Sequence, residues 1–239
     1  VFDQLLSLTF VDEDKLKEVY YKLLNYTKEF DEELSSDYEE IYIEQKEYDK
    51  NIKTGRYAIK PTDNMRYLHR RLSLGYQTPV NLTIGSVRTM DRIARNASRQ
   101  LMIDSTEIIG LLNDTAYLNT IGYTQQTIPA LFIPNTYEVY WNISAEDFMK
   151  RMIKEHKVFW NEERIKKAGS IGLTPEEVAT LASIVEEETA VNAEKPVVAG
   201  LYINRLKRGM LLQADPTIQF SLHALGSQRT LFKHLEVNS

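Results

Sequence analysis

The chain has 239 residues, a formal net charge of -5, 43% hydrophobic and 26% charged residues, which suits one large or two smaller folded domains and argues against a disordered chain or a membrane bundle. It contains no cysteine, which excludes disulfide scaffolds, thiolate zinc sites and cysteine nucleophiles. His69, His156, His223 and His234 are scattered without HExxH spacing, so neither a metal site nor an organic cofactor is expected.

No run reaches the ~18 apolar residues of a transmembrane helix, and Val1-Phe2-Asp3-Gln4-Leu5-Leu6 lacks the basic flank of a signal peptide. A start at Val rather than Met leans towards an anchor having been removed. Acids crowd the stretch from Asp12 to Asp49, which gives a nucleic-acid backbone nothing to bind. Its aromatics argue for folded structure, a helix over about 12–34 with Leu16, Val19, Leu23 and Leu24 inward. The alternation over 39–47 predicts a short strand. Thr54-Gly55-Arg56-Tyr57-Ala58-Ile59-Lys60-Pro61 reads as a glycine turn, a brief strand and a proline stop. Asp63 or Asn64 caps a helix with Met65, Leu68 and Leu72 inward, ended at Leu74-Gly75, and Pro79 to Gly85 alternates as a further strand.

Ser86 is expected to cap a helix carrying Met90, Ile93, Ala94 and Ala97 on one face. Asp104 or Ser105 opens the next, with Ile108, Ile109 and Leu112 inward. The aromatic and proline-rich stretch from Ile128 to Trp141 predicts a loop and short strand, and Ser144 with Asp147 a long helix to about Ala168. Thr174, Pro175 and Glu177 form a capping-box signature. From there Val178, Leu181, Val185 and Glu188 fall at the spacing of one helical face, so a carboxyl stands where the pattern asks for an apolar residue. Two readings are open: a buried acid, its pKa raised towards a general acid's range, or a solvated run of Glu186, Glu187 and Glu188, which the pattern alone favours. Pro196 starts another helix, with Val198, Leu201, Tyr202 and Arg205 on a face, until Gly209. Gln213 and Asp215 would share one side of an extended segment, and a helical turn follows over 217–225.

Three blocks in order carry a resemblance. Ala182-Ser183-Ile184-Val185-Glu186-Glu187-Glu188-Thr189-Ala190, Val198 to Leu206, and Gly209-Met210-Leu211-Leu212-Gln213-Ala214-Asp215-Pro216-Thr217-Ile218 closely resemble the core of the MltG (YceG-like) family of endolytic murein transglycosylases. Pro134-Asn135-Thr136-Tyr137-Glu138-Val139 is similar to a further family segment, and Lys53-Thr54-Gly55-Arg56-Tyr57 to a strand of its LysM-like amino-terminal region. The resemblance implies lytic cleavage of the β-1,4 bond between N-acetylmuramic acid and N-acetylglucosamine within glycan strands, leaving a 1,6-anhydro end. It identifies Glu188 as the single general acid/base, which periodicity also singled out. Glu186 lies about 200° round the helix and cannot share the task; it reads as a structural residue, and Glu187 as exposed. Gln213, Asp215, Tyr137 and Asn204 are candidate substrate-binding residues. A loop-stabilising role for Gln213 and Asp215, core packing for Tyr137, and helix-to-helix bonding for Asn204 and Arg205 stand beside that reading.

The resulting expectation is an α+β protein, with a small LysM-like strand/helix domain over 1–84 and a mainly helical lytic transglycosylase catalytic domain over 85–239. Relatives run on beyond the Asp-Pro-Thr block, so the catalytic domain is expected to be truncated at its carboxyl end. They begin with one membrane-spanning helix, implying a single-pass inner-membrane protein whose domain faces the periplasm. The implied partners are peptidoglycan glycan strands and penicillin-binding proteins of the wall-synthesis machinery. The alternatives are a muramidase that cleaves the same bond with water and a non-catalytic wall-binding scaffold.

Overall fold

The computed structural model describes residues 53–60, 63–86 and 89–221. The helix expected over 12–34, the strand expected over 39–47 and the residues from 222 onward lie outside these. The described residues fall into two compact units: one runs through Gln125 and takes in Pro134–Arg151, the other comprises Gln126–Ile133 and Met152 onward.

In the first unit the brief strand expected near Tyr57 does not form. The Thr78 amide donates to the Arg56 carbonyl at 2.7 Å, but the Ala58 amide takes the Thr78 hydroxyl at 2.9 Å in place of a backbone carbonyl, so no ladder develops. Helix α1 (Met65–Leu74) starts as expected, with the Asn64 side chain accepting from the Tyr67 amide at 2.8 Å. It ends at Gly75, whose φ of 72° is left-handed and where a Cβ would meet the Lys53 side chain at 3.1 Å.

Strand β1 (Val80–Ile84) pairs antiparallel with β2 (Asn135–Val139), Leu82 facing Tyr137, and among the described residues the sheet has these two strands. Leu82, Ile84, Tyr137 and Val139 are buried while Asn81, Thr83, Thr136 and Glu138 are exposed, the two-residue alternation of a half-covered sheet. Between the strands come α2 (Met90–Ser98), α3 (Ser105–Asn113) and α4 (Thr115–Thr120); α2 packs on β1 and α3. The cap of α2 is Thr89 rather than Ser86: Thr89 is extended and its side chain accepts from the Arg92 amide. Ile93, Ala94 and Ala97 are buried as the spacing requires. Asp104 caps α3, and Ile108 and Leu112 are buried beneath it.

The long helix expected over 145–168 is two helices, α5 (Ala145–Phe159) and α6 (Glu162–Ser170). Asn161 stands between them in extended conformation with its side chain accepting from the Arg164 amide at 3.0 Å, and a new cap here outcompetes continuation of the old helix. The Arg164 guanidinium lies 4.2 Å over the Phe159 ring, fastening the bend. Helix α5 contributes residues to both units. Compactness does not divide the chain at 84/85, because β1 ends there and its hydrogen-bonded partner β2 comes only after α4. The second unit continues through α7 (Pro175–Glu188), α8 (Lys195–Lys207) and α9 (Asp215–Ser221). Helices with a small sheet make the chain α+β. No helix among the described residues is long and apolar enough to cross a membrane.

Candidate active site

Helix α7 is fixed at its start. The Thr174 hydroxyl accepts from the Glu177 amide at 3.2 Å and the Glu177 carboxylate from the Thr174 amide at 2.8 Å, a reciprocal cap that contributes ~1 kcal/mol. Leu181, Ile184 and Val185 are buried and share one cluster with Tyr202 of α8 and Ala214, flanked by Leu173, Val198, Ala199, Ile203 and Leu212. That cluster is the floor of the site.

Glu188 is the last residue of α7, three residues after Val185 and four after Ile184, so its side chain leaves on the cluster's side of the helix. It is exposed, as in the solvated reading of the glutamate run and not as a buried acid. Thr189 turns to an extended backbone at φ -147°, and no further apolar turn of α7 exists to cover the carboxylate. Glu186 takes another direction and accepts from the Lys195 ammonium at 2.6 Å, while Glu187 is exposed. The Thr189 hydroxyl donates to the Glu194 carboxylate at 2.7 Å and accepts from the Val191 amide at 3.0 Å. A surface ion pair is worth ~0–1 kcal/mol, so the Glu186–Lys195 pair and these bonds serve mainly to fix the path from Glu188 to α8.

The residue that sequence spacing did not single out is Tyr202. Its side chain is buried, 4% exposed, and the phenol is pushed up to about 12, first by burial and then by the Glu188 carboxylate. Arg205 works against the shift and Asp215 adds to it. The sequence signal was a phenol within an aliphatic helix face, on the same side as Val198 and Arg205.

The raised phenol has a consequence for stability. The unfolded chain releases this proton near 10.0, whereas the folded chain holds it to about 12. The contribution is therefore complete below pH 10 and is lost as pH climbs towards 12. Thermal unfolding followed across that range is expected to fall more steeply for the parent protein than for Tyr202→Phe; parallel curves would contradict the assignment.

Gln213 and Asp215 do not lie on an extended segment. Gln213 has φ 51°, a left-handed conformation that costs a non-glycine residue ~1–2 kcal/mol, and so breaks the alternation. The bend is held from several sides. An Arg205 guanidinium nitrogen donates to the Leu212 carbonyl, the Thr217 hydroxyl donates to the Ala214 carbonyl at 2.7 Å, and Ala214 is buried in the cluster. Both Gln213 and Asp215 are exposed, with Asp215 opening α9. Of the candidate residues, Glu188 ends α7 on the side of the cluster that holds Tyr202, and Gln213 and Asp215 stand two residues apart on the bend, either side of Ala214 of the same cluster.

Asn204 is turned away from this cluster, and Tyr137 belongs to the other unit. Asn204 is exposed and about 200° round α8 from Tyr202, so it faces away from α7 and does not bond the two helices. Arg205 fastens α8 to the following bend instead. Tyr137 lies in the other unit, 4% exposed on the inner face of β2, which is core packing and leaves no ring face for a sugar. Among the described residues no group of three or more His, Cys, Asp or Glu side chains gathers as metal ligands would.

The YceG-like family model matches residues 13–239. An endolytic murein transglycosylase of Bacillus subtilis (strain 168) is 28% identical over 185 residues, 69% of this chain and 49% of that one. Another, from Streptococcus pneumoniae (strain ATCC BAA-255 / R6), is 24% identical over 230 residues, 83% of this chain and 40% of that one. The chain spans about half the length of these curated relatives, or less. A crystal structure of a yceG-like protein from Listeria monocytogenes shares the fold, with a TM-score of 0.56 at 23% identity over 83% of this chain and 70% of that one.

Proposed function

Because the chain belongs to the YceG-like family, we propose that it carries the catalytic acid of an endolytic murein transglycosylase, cleaving the β-1,4 bond between N-acetylmuramic acid and N-acetylglucosamine inside glycan strands. The observation that carries this reading is an accessible carboxylate, Glu188, which ends α7 on the side of an apolar cluster that includes Tyr202 and Ala214, the latter standing between Gln213 and Asp215. Most glycoside cleavage needs two carboxylates, one as acid and one as base or nucleophile. Here a single carboxyl suffices because the substrate brings its own nucleophile. Glu188 gives its proton to the leaving glycosidic oxygen as the bond from that oxygen to the anomeric carbon breaks. The muramic acid 6-hydroxyl oxygen then bonds to the same carbon, and its proton passes to the Glu188 carboxylate. The group ends as it began, and no water is consumed.

An exposed acid suits a polymer substrate that must lie across it. Bound glycan, rather than the protein's own core, is then what excludes water from the carboxyl. Gln213 and Asp215 are proposed to hydrogen bond sugar hydroxyl or N-acetyl groups. The LysM-like role is proposed for the residues up to about 84, and the catalytic role for those after them, α7, α8 and α9 included. Anchoring at the membrane face turned towards the wall, and work beside penicillin-binding proteins, belong to the same proposal. Glycan strands incubated with the protein and analysed by mass spectrometry are expected to yield ends one water lighter than reducing ends; reducing ends would mean a hydrolytic muramidase, and uncut strands a binding scaffold.

A further inference from the structure

We propose that Thr189 and Glu194 are positioning residues for Glu188, the hydrogen bond between their side chains fixing the backbone turn from which the acid/base leaves helix α7. This rests on the reading of Glu188 as the acid/base. The last residue of a helix is prone to fray, because the backbone beyond it makes no further intrahelical bonds. Glu188 holds that position, and the Thr189 amide just after it reaches the Val185 carbonyl at 3.3 Å, longer than most such bonds. The Glu188 side chain is exposed and gains little from packing. Its direction therefore depends on how firmly the next residue is held.

That hold comes from α8. The Thr189 hydroxyl accepts from the Val191 amide at 3.0 Å and donates its one proton to the Glu194 carboxylate at 2.7 Å, a short bond to a charged acceptor. Glu194 stands at the N-cap of α8, where a side chain ordinarily accepts from the helix's own first amides. Its carboxylate makes no such bond and turns back to Thr189 instead. The Glu194 backbone is meanwhile built into α8: its carbonyl accepts from the Val197 and Val198 amides at 2.9 and 3.0 Å. Helix α8 is in turn packed on α7, with Val198, Ala199 and Tyr202 in the cluster that holds Ile184 and Val185. The next residue, Lys195, donates to Glu186 at 2.6 Å, so the start of α8 grips the chain on both sides of Glu188. A carboxylate diverted from its own helix to the residue beside the acid is the feature a positioning role accounts for and simple helix stability does not.

Thr189→Val is nearly isosteric, suits the extended backbone at φ -147° and removes only the hydroxyl, so the protein is expected to fold. With soluble glycan strands as substrate, kcat is expected to fall about tenfold, since a slight misplacement of a reacting group is enough for such a loss, while KM and the melting temperature stay near the parent values. Thr189→Ser keeps the hydroxyl and is expected to restore kcat. Glu194→Ala is expected to match Thr189→Val, and the double variant to be no slower than either, because both remove the same bond. An unchanged kcat in Thr189→Val, a change confined to KM, a Thr189→Ser as slow as Thr189→Val, or losses that multiply in the double variant would overturn the proposal. Glu188→Gln is measured beside these. If that variant is inactive and Thr189→Val keeps full kcat, the positioning role alone fails; if Glu188→Gln retains activity, or the parent cuts no strands, the reading beneath it fails as well.

Discussion

Glu188→Gln is expected to lower the release of anhydro-muropeptides at least about 100-fold while leaving the fold intact. A positioned general acid/base contributes ~10²–10⁴-fold, and here one group would serve both halves of the reaction. The amide is nearly isosteric with the carboxyl, but it has no proton to give the leaving oxygen and cannot take one from the 6-hydroxyl. Because Glu188 is exposed at the end of α7, the exchange opens no cavity and strands no buried charge. Glu187→Gln is the matching control. It removes a neighbouring exposed charge that points elsewhere on the helix, and activity is expected to stay near the parent level. Quantifying anhydro ends by chromatography, with a circular dichroism spectrum of each variant, separates loss of chemistry from loss of structure.

Phe148→Ala is expected to destabilise the unit containing β1 and β2 by ~3–5 kcal/mol. Phe148 is 0% exposed, next to the equally buried Met149 on the part of α5 that belongs to that unit. Deleting a ring at such a site forfeits its transfer free energy and leaves a cavity that a close-packed interior fills only in part. Chemical denaturation is expected to show a lower midpoint for that unit's transition, which is the relevant quantity in a chain of two units. A loss below ~1 kcal/mol would mean that the ring is not closely packed.

The helices were legible wherever a cap stood next to a periodic stripe. Asn64, Asp104 and Thr174 each accept the hydrogen bond that their position implied, and Leu68, Ile108 and Leu181 are buried where spacing put them. Helix α5 ended earlier than its pattern because apolar spacing continues through Asn161 while the asparagine starts a new helix. The pairing of β1 with β2 was not readable at all, since register across three intervening helices is set by tertiary contact rather than by local spacing. At the candidate site, periodicity put Glu188 on the cluster's side of α7 but left its burial open, because spacing could not show that the helix stops there and leaves the carboxylate exposed. The left-handed bend at Gln213 also escaped, because glutamine carries no preference for that conformation; Arg205 and Thr217 impose it from outside the residue. Tyr202 reads as a core aromatic on its helix face, and the structure buries it with Leu181, Ile184 and Val185.

The most direct test of the central claim is the mass of the newly formed ends when purified glycan strands are cut by the parent protein and by Glu188→Gln. The account predicts 1,6-anhydro-muramic acid ends from the parent, produced within strands rather than only at their termini, and a background level from the variant. Reducing ends one water heavier, or anhydro ends that persist after Glu188→Gln, would contradict it.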